Sequence, residues 1–148
     1  MRIGVVWSGA VSHKNPYRSM RLEEFLPLTG LPVELHCLQK EYREHDLALL
    51  ARHPEIRQHQ DALHDFADTA ALIACMDLVI TVDTGVAHVA GAMGKPVWIM
   101  LGFAADYRWM LDRGDSLWYP TARLFRQPAI GDWHRVVAEV ASAVRSLV

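Results

Sequence analysis

The sequence predicts a doubly wound α/β domain, with a mainly parallel sheet and helices on both faces. Short β-branched runs alternate with longer stretches of helical periodicity along the chain, which is the pattern of strand–helix repeats. The runs VVW, LVITV and VWIML are apolar throughout, as expected of strands that are buried on both faces. The 148 residues are enough for one domain with a core, so we expect a single domain over residues 1–148.

The individual elements follow from these patterns in chain order. Apolar, β-branched runs predict strands at Ile3–Trp7, Val33–Leu38, Leu78–Val82 and Val97–Leu101, with weaker signals at Ile56–His59 and Arg123–Phe125. Helical spacing predicts helices at Leu22–Leu28, Arg43–Arg52, Asp65–Cys75, Thr84–Met93 and Asp132–Leu147. Ligands of such sheets bind beyond the carboxyl ends of the strands. A site is therefore expected in the loops after Trp7, Leu38, Val82 and Leu101.

Composition excludes several classes of function. The formal net charge is −2, from 15 basic and 17 acidic side chains, so neither a nucleic-acid binder nor a polybasic membrane anchor is indicated. Asp77, Asp83 and Lys95 interrupt the most apolar region, which leaves no membrane span. Cys37 and Cys75 are interpreted as buried, reduced thiols of a cytoplasmic protein, with a disulfide as the alternative.

The turn Asp83-Thr84-Gly85 between a strand and a helix is the main candidate site. The N-terminus of a helix presents unpaired N–H donors and a partial positive charge, which favour a phosphate. Gly85 allows a ligand to approach the backbone closely, and His88 follows Thr84 by four residues, on the same helix face. In the alternative interpretation, Asp83 is only a helix cap and His88 a packed core residue.

The long polar loop SGAVSHKNPYRSM follows the first strand. If the first and fourth strands are neighbours, this loop shares one rim with the Asp-Thr-Gly turn. Lys14 and Arg18 would then neutralise a diphosphate, and the backbone at Ser8 and Gly9 would line the site. A solvated basic loop is the alternative.

The other motifs in the sequence provide little evidence for a particular function. His59, His64, Asp65 and Asp68 match no common metal-ligand spacing, and we interpret Asp65 and Asp68 as the cap and first turn of a helix. The dinucleotide-binding, P-loop and nucleophile-elbow motifs are absent. The segment YRWMLDRGDSLWYPTARLFRQ, rich in Trp, Tyr and Arg, is either a recognition surface or a segment packed on the sheet.

The run DFADTAALIACMDLVITVDTGVAHVAGAMGKPVWIML, followed by DYRWMLDRGDSLWYPTARLFRQPAIGDW, resembles a known family. It is similar to the C-terminal region of bacterial tetratricopeptide-repeat proteins with a glycosyltransferase-like domain of the heptosyltransferase (glycosyltransferase family 9) type. The opening GVVWSG, with HKN, RSM and LQK further on, fits the same pattern. The resemblance implies the C-terminal, Rossmann-like, nucleotide-sugar-binding half of a GT-B fold.

The resemblance also implies roles for particular residues. Asp83, Thr84, Gly85 and His88 would hold the donor diphosphate, together with Lys14 and Arg18. Weaker candidates for the nucleoside pocket are Gln39, Lys40, Leu63 and Asp65. No metal or other cofactor is expected, and the nucleotide sugar is a substrate.

Three functions follow as hypotheses. The first is donor binding in a metal-independent, inverting hexosyl- or heptosyltransferase, inactive without an N-terminal or partner domain that supplies the catalytic base. The second is a non-catalytic interaction or regulatory module that kept this fold, with a partner domain or a second copy of the chain (a homo-oligomer) as its partner. The third is a nucleotide-sugar epimerase, for which the sequence offers no clear acid–base carboxylate pair.

Overall fold

The computed structural model describes residues 1–10 and 16–148, whose strands form one six-stranded sheet. The strands are β1 (Arg2–Val6), β2 (Glu34–Cys37), β3 (Ile56–Gln58), β4 (Leu78–Val82), β5 (Val97–Leu101) and β6 (Ala122–Arg126). The helices are α1 (Leu22–Phe25), α2 (Glu44–Ala51), α3 (Phe66–Ala74), α4 (Gly85–Ala92) and α5 (Trp133–Arg145). Short 3-10 helices cover Pro16–Arg18, Leu26–Gly30, Gln60–Ala62 and Tyr107–Trp109.

The sheet has the strand order β3-β2-β1-β4-β5-β6, and every neighbouring pair is parallel. The chain runs outward from β1 to β3, crosses back to β4 and runs outward again to β6. Because crossovers between parallel strands are right-handed, this reversal places the connecting helices on opposite faces. In agreement, α1 contacts α2 and α5, whereas α3 contacts α4. The predicted doubly wound α/β class is confirmed.

The core lies on both sides of the central strands. All five residues of β4 and all five of β5 are buried, because helices cover both faces of the sheet. Small residues on α4, Ala87, Ala90 and Gly91, are buried as well. They let the helix approach the sheet closely, so α4 begins at the end of β4 with little freedom to tilt.

The observed bounds differ from the predicted ones mainly in the first helix. The α-helical part ends at Phe25 and continues as the 3-10 helix Leu26–Gly30. Pro27 stands in the first turn of that 3-10 helix, and its missing N–H removes the hydrogen bond that would continue the α-helix. The predicted bounds of β4 and β5 match the structure residue for residue.

The two cysteines are both free thiols, but their surroundings differ from the prediction. Cys37 is buried, and burial raises the pKa of its thiol to about 11. Cys75, predicted to be buried, is exposed. It caps α3 at its C-terminal end, and the end of a surface helix leaves that side chain outside the core even though its sequence neighbours are apolar.

Candidate functional site

The candidate site lies at the carboxyl edge of the sheet, where β1 and β4 are neighbours. The connection after β1 turns to one face and α4, after β4, turns to the other, so the two loops diverge at this point. Such a switch point leaves a crevice between the diverging loops, and ligands of doubly wound folds bind there. The expected shared rim of the first loop and the Asp-Thr-Gly turn is therefore present.

The Asp-Thr-Gly turn starts α4 without a side-chain cap. Thr84 is the N-cap residue, and its side chain makes no capping hydrogen bond. Its hydroxyl lies 3.2 Å from that of Thr81, which draws it toward the sheet. The first N–H groups of α4 thus keep their capacity to bind an anion. Asp83 is not the cap, so the interpretation of this turn as an ordinary Asp-capped helix start is wrong.

Arg18 is held against this turn by main-chain contacts. Its Nη1 donates to the backbone carbonyl of Asp83 at 2.6 Å. A Cβ on residue 9 would lie 2.4 Å from the guanidinium, so Gly9 makes room for it. Burial lowers the pKa of Arg18, while the nearby Asp83 carboxylate acts in the opposite direction. An arginine stays protonated in such a setting, so the site holds a fixed positive charge.

His88 projects from the first turn of α4 toward the same place. Its Nε2 lies 3.9 Å from a carboxylate oxygen of Asp83 and 3.3 Å from Nη1 of Arg108. Its Nδ1 lies 2.7 Å from the hydroxyl of Tyr119, and its ring stacks on that of Trp109 at 5.5 Å. His88 is half-buried and has polar partners on both ring nitrogens, so it is not the packed core residue of the alternative interpretation.

These groups open into a cavity of about 800 Å³. Its walls come from the ends of β4, β5 and β6 and from the loop after β1; they include Tyr17, Arg18, Asp83, Thr84, Gly85, His88, Phe103, Asp106, Arg108, Gln127 and Ile130. The volume lies within the range of small-molecule sites. The predicted residues Arg18, Asp83, Thr84, Gly85 and His88 are thus brought together.

A second cavity, of about 250 Å³, lies on the other side of the Asp-Thr-Gly turn. It is lined by the ends of β1 and β2 and the starts of α3 and α4, including Ser8, Gly9, Gln39, Lys40, Asp65, Phe66, Thr84 and Gly85. Thr84 and Gly85 border both cavities. A ligand long enough to cross the turn would therefore touch both.

The family comparison agrees with this geometry. The model of glycosyltransferase family 9 (heptosyltransferase) matches residues 22–105, more than half of the chain. The chain belongs to this family. It is also 35% identical over 85 residues to the protein FlbA of Caulobacter vibrioides, a stretch that covers 57% of the chain and 14% of FlbA. The chain thus spans about a seventh of FlbA, and no solved structure matches it.

In this family 9 chain, the residues that were weaker candidates for the nucleoside pocket differ in burial and in their contacts. Gln39 is buried; its side-chain oxygen accepts from the N–H groups of Trp7 and Ser8 at 2.8 and 3.2 Å. Lys40 is exposed and donates to the carbonyl of His64 at 2.9 Å. Leu63 is buried outside the lining of the second cavity.

The predicted cap at Asp65 is confirmed, because its carboxylate accepts from the N–H of Asp68 at 2.9 Å. The backbone groups of the first loop are also already paired. The Ser8 N–H donates to Gln39, and the Gly9 N–H donates to the hydroxyl of Ser19 at 2.9 Å. Lys14 lies outside the described residues. Among the candidates that are described, Arg18 and the start of α4 remain as the groups available to an anion.

Sequence reasoning did not single out Gln127. It is buried, and its side-chain oxygen accepts from the N–H groups of Phe103 and Gly131, each at 3.1 Å. Those two donors fix which end of the amide is oxygen. The Nε2 group has no partner among residues 1–10 and 16–148, although the residue lines the larger cavity. An unpaired buried amide next to a cavity is a feature that only the folded structure shows.

The segment rich in Trp, Tyr and Arg divides between the two interpretations given for it. Trp109 is packed in the core, whereas Tyr107, Trp118 and Arg108 are exposed. Arg126, at the end of β6, donates to the carbonyls of Trp109 and Arg113 and so ties the segment to the sheet. The segment is both packed and part of the rim, which residue type alone could not decide.

Within residues 1–10 and 16–148, no three His, Cys, Asp or Glu side chains lie together so that they could hold a metal ion. No helix in the described part of the chain is long and apolar enough to cross a membrane.

Proposed function

We propose that this chain binds the donor, a nucleotide-diphosphate sugar, in a metal-independent, inverting glycosyltransferase of the GT-B type. One observation carries the proposal: an uncapped helix start, the Arg18 guanidinium and His88 converge on one large cavity at the β1/β4 switch point. Membership of glycosyltransferase family 9 supports the substrate class.

The diphosphate would lie across the Asp-Thr-Gly turn. The N–H groups at the start of α4, Arg18 and Lys14 would share its negative charge. The same groups would stabilise the nucleoside diphosphate as it leaves, since its charge grows while the bond to the sugar breaks. Asp83 would contribute through its carbonyl, which holds Arg18, rather than through its carboxylate, which has the same sign as a phosphate.

The two cavities would divide the rest of the donor. The nucleoside would occupy the smaller cavity, whose lining contains Gln39, Lys40 and Asp65. The sugar would enter the larger one, whose lining includes Gln127, with a buried amide nitrogen that has no partner among the described residues. Thr84 and Gly85, which border both cavities, would lie beneath the diphosphate.

Transfer itself would need groups from elsewhere. In the GT-B architecture that the resemblance implies, a second Rossmann-like domain faces this one and supplies the base that deprotonates the acceptor hydroxyl. Exposed large apolar side chains in the loops around the site and in the segment before β6 support such a covering domain. More than half of the surface is exposed in each of Phe66, Phe103, Tyr107, Leu111, Leu117, Trp118 and Ile130. We call these residues the apolar rim. The proposal places this domain in a longer cytoplasmic protein with tetratricopeptide repeats.

The apolar rim also favours a second candidate, the non-catalytic interaction module, because exposed apolar patches mark protein interfaces. The two candidates differ in donor binding, which only the first requires. Self-association through the rim would be expected of the second.

Calorimetric titration with UDP, ADP and GDP tests the proposal. One nucleotide should bind, and Arg18→Ala and Lys14→Ala should each weaken it at least about tenfold, or about 1.4 kcal/mol. Arg145→Ala, which removes an exposed cation at the far end of α5, should leave affinity unchanged. Binding should also survive EDTA. If the folded chain binds none of the three, donor binding is wrong and the interaction module takes its place.

A further inference from the structure

Tyr119 packs flat against α4 at a position that only glycine allows. A Cβ on residue 91 would lie 2.4 Å from the Tyr119 ring, closer than any real contact. The backbone at Tyr119 is fixed by the Ser116 hydroxyl, which accepts from the N–H groups of Trp118 and Tyr119 at 3.0 and 3.2 Å. Gly91 follows His88 by one helical turn, so the phenol hydroxyl of Tyr119 reaches the imidazole.

The partners of His88 select one tautomer of its ring. The guanidinium of Arg108 has only donors, so at 3.3 Å from Nε2 it requires a lone pair on that nitrogen. The proton of the neutral ring is then on Nδ1, which donates to the Tyr119 oxygen at 2.7 Å. The opposite tautomer would point an N–H at an N–H donor, with the nearest carboxylate oxygen of Asp83 at 3.9 Å, too far for a hydrogen bond.

Neighbouring aromatic rings also fix the orientation of the His88 imidazole. Trp109, only 1% exposed, stacks on it with 21° between the rings. The Tyr119 ring meets it edge-on, at 62°. With one face stacked and both nitrogens engaged, His88 presents its Nε2 lone pair toward Arg108 at the border of the larger cavity.

We propose that Tyr119, His88 and Arg108 form a relay, in which Tyr119 accepts a hydrogen bond from the Nδ1 proton of His88, and the Nε2 lone pair of His88 holds Arg108 over the cavity to bind the donor diphosphate. Arg108 is the binding residue of the relay, and Tyr119 is a positioning residue that never touches the ligand. The inference rests on the proposed donor-binding function. It changes the role of His88 from a direct phosphate ligand to the support of an arginine.

The geometry of Arg108 fits this role. Its side chain is exposed at the cavity border, and its Nε lies 3.5 Å from a carboxylate of Asp106. Only one of its five donors is required by His88, so others remain for a phosphate, which arginine binds in a bidentate manner. An exposed arginine without support loses side-chain entropy on binding. The relay reduces that loss by orienting the guanidinium in advance.

The first test determines the tautomer of the His88 ring in the absence of any ligand. In ¹⁵N-resolved NMR of the full chain, the His88 ring, assigned by comparison with His88→Gln, should carry its proton on Nδ1. Tyr119→Phe should weaken that preference, because it removes the acceptor of the Nδ1 proton. Gly91→Ala should do the same by displacing the phenol while keeping its hydroxyl. Gly114→Ala, where a Cβ meets nothing within 4 Å, and Tyr42→Phe, outside the lining of both cavities, should leave it intact.

The second test is a double-mutant cycle on the affinity for the nucleoside diphosphate that the chain binds. Arg108→Ala and Tyr119→Phe should each weaken binding about tenfold, and the double variant should be no weaker than Arg108→Ala alone. Circular dichroism should show that all variants are folded. Additive losses, or an Nε2-protonated His88 in the unsubstituted chain, would overturn the relay. If no nucleoside diphosphate binds at all, the donor-binding function fails, whereas the tautomer experiment still decides whether Tyr119 orients His88.

Discussion

At the residue scale, the carboxylate of Asp46 shows how one buried group organises several elements. It is 1% exposed and accepts from the Trp7 indole N–H and the Leu22 backbone N–H, each at 3.1 Å. Trp7 follows β1 and Leu22 begins α1, so Asp46 on α2 ties the two ends of the first loop together. The position of Arg18 within that loop depends on those ends.

Replacing Asp46 should therefore destabilise the whole domain. Asp46→Ala leaves two buried donors unpaired, and the free energy of unfolding should fall by about 2–4 kcal/mol. Urea denaturation measures it. Glu44→Ala, an exposed position in the same helix, should change it by less than about 0.5 kcal/mol. Equal losses in the two variants would mean that the loss of a carboxylate from the first turn of α2, and not the buried hydrogen bonds, sets the cost.

At the element scale, α5 depends on its N-terminal cap. Gly131 adopts a left-handed φ of 80° and turns the chain, and the Asp132 side chain then accepts from the N–H of Arg135 at 3.2 Å. The helix buries Trp133, Val136 and Val140 against the sheet and α1. Its first turn follows directly from Gly131, which also borders the larger cavity.

Asp132→Ala should lower the free energy of unfolding by about 1 kcal/mol, the usual cost of a lost N-cap. Asp132→Asn keeps an oxygen acceptor and should retain most of the stability. Thermal unfolding followed by circular dichroism distinguishes them. If Asp132→Asn lowers the free energy of unfolding as much as Asp132→Ala does, the effect is due to the carboxylate charge and its 4.0 Å ion pair with Arg135.

The helices and strands could be predicted from the sequence wherever the local hydrophobic periodicity determines them. The apolar runs of β4 and β5 allow only a buried strand, and the Asp-Thr-Gly turn indicates where the next helix begins. The Tyr119–His88 hydrogen bond joins residues 31 positions apart, and the Trp7–Asp46 bond joins residues 39 apart. Spacing contains no information about such pairs, because the return path of a loop depends on the packing of the whole sheet.

At the scale of the whole molecule, the outer half of the sheet contains a titratable pair. His36 on β2 lies with its Nδ1 2.9 Å from Nε2 of His59, and its other nitrogen is 3.6 Å from Glu34. Burial lowers the pKa of His36, as do the neighbouring His59 and Arg57, while Glu34 acts in the opposite direction. The folded state therefore disfavours the proton that the unfolded chain accepts near pH 6.5.

The free energy of unfolding should accordingly decrease at acid pH. The contribution of His36 is fully present above about pH 6.5 and declines as the pH falls from there toward the lowered folded pKa. Urea denaturation at pH 8.0 and pH 5.5 should show this loss, and His36→Asn should reduce it. An equal loss in His36→Asn would assign the acid sensitivity to other groups.

The strand order also has a consequence for synthesis. Because β1 pairs with β4 rather than only with β2, one edge of β1 remains empty until Leu78–Val82 leaves the ribosome. The larger cavity closes later still, once Gln127 and Gly131 have been made. Until then, a ligand of that cavity cannot stabilise the nascent domain by binding to it. Its survival then rests on chaperones or on the speed with which the late strands join the sheet.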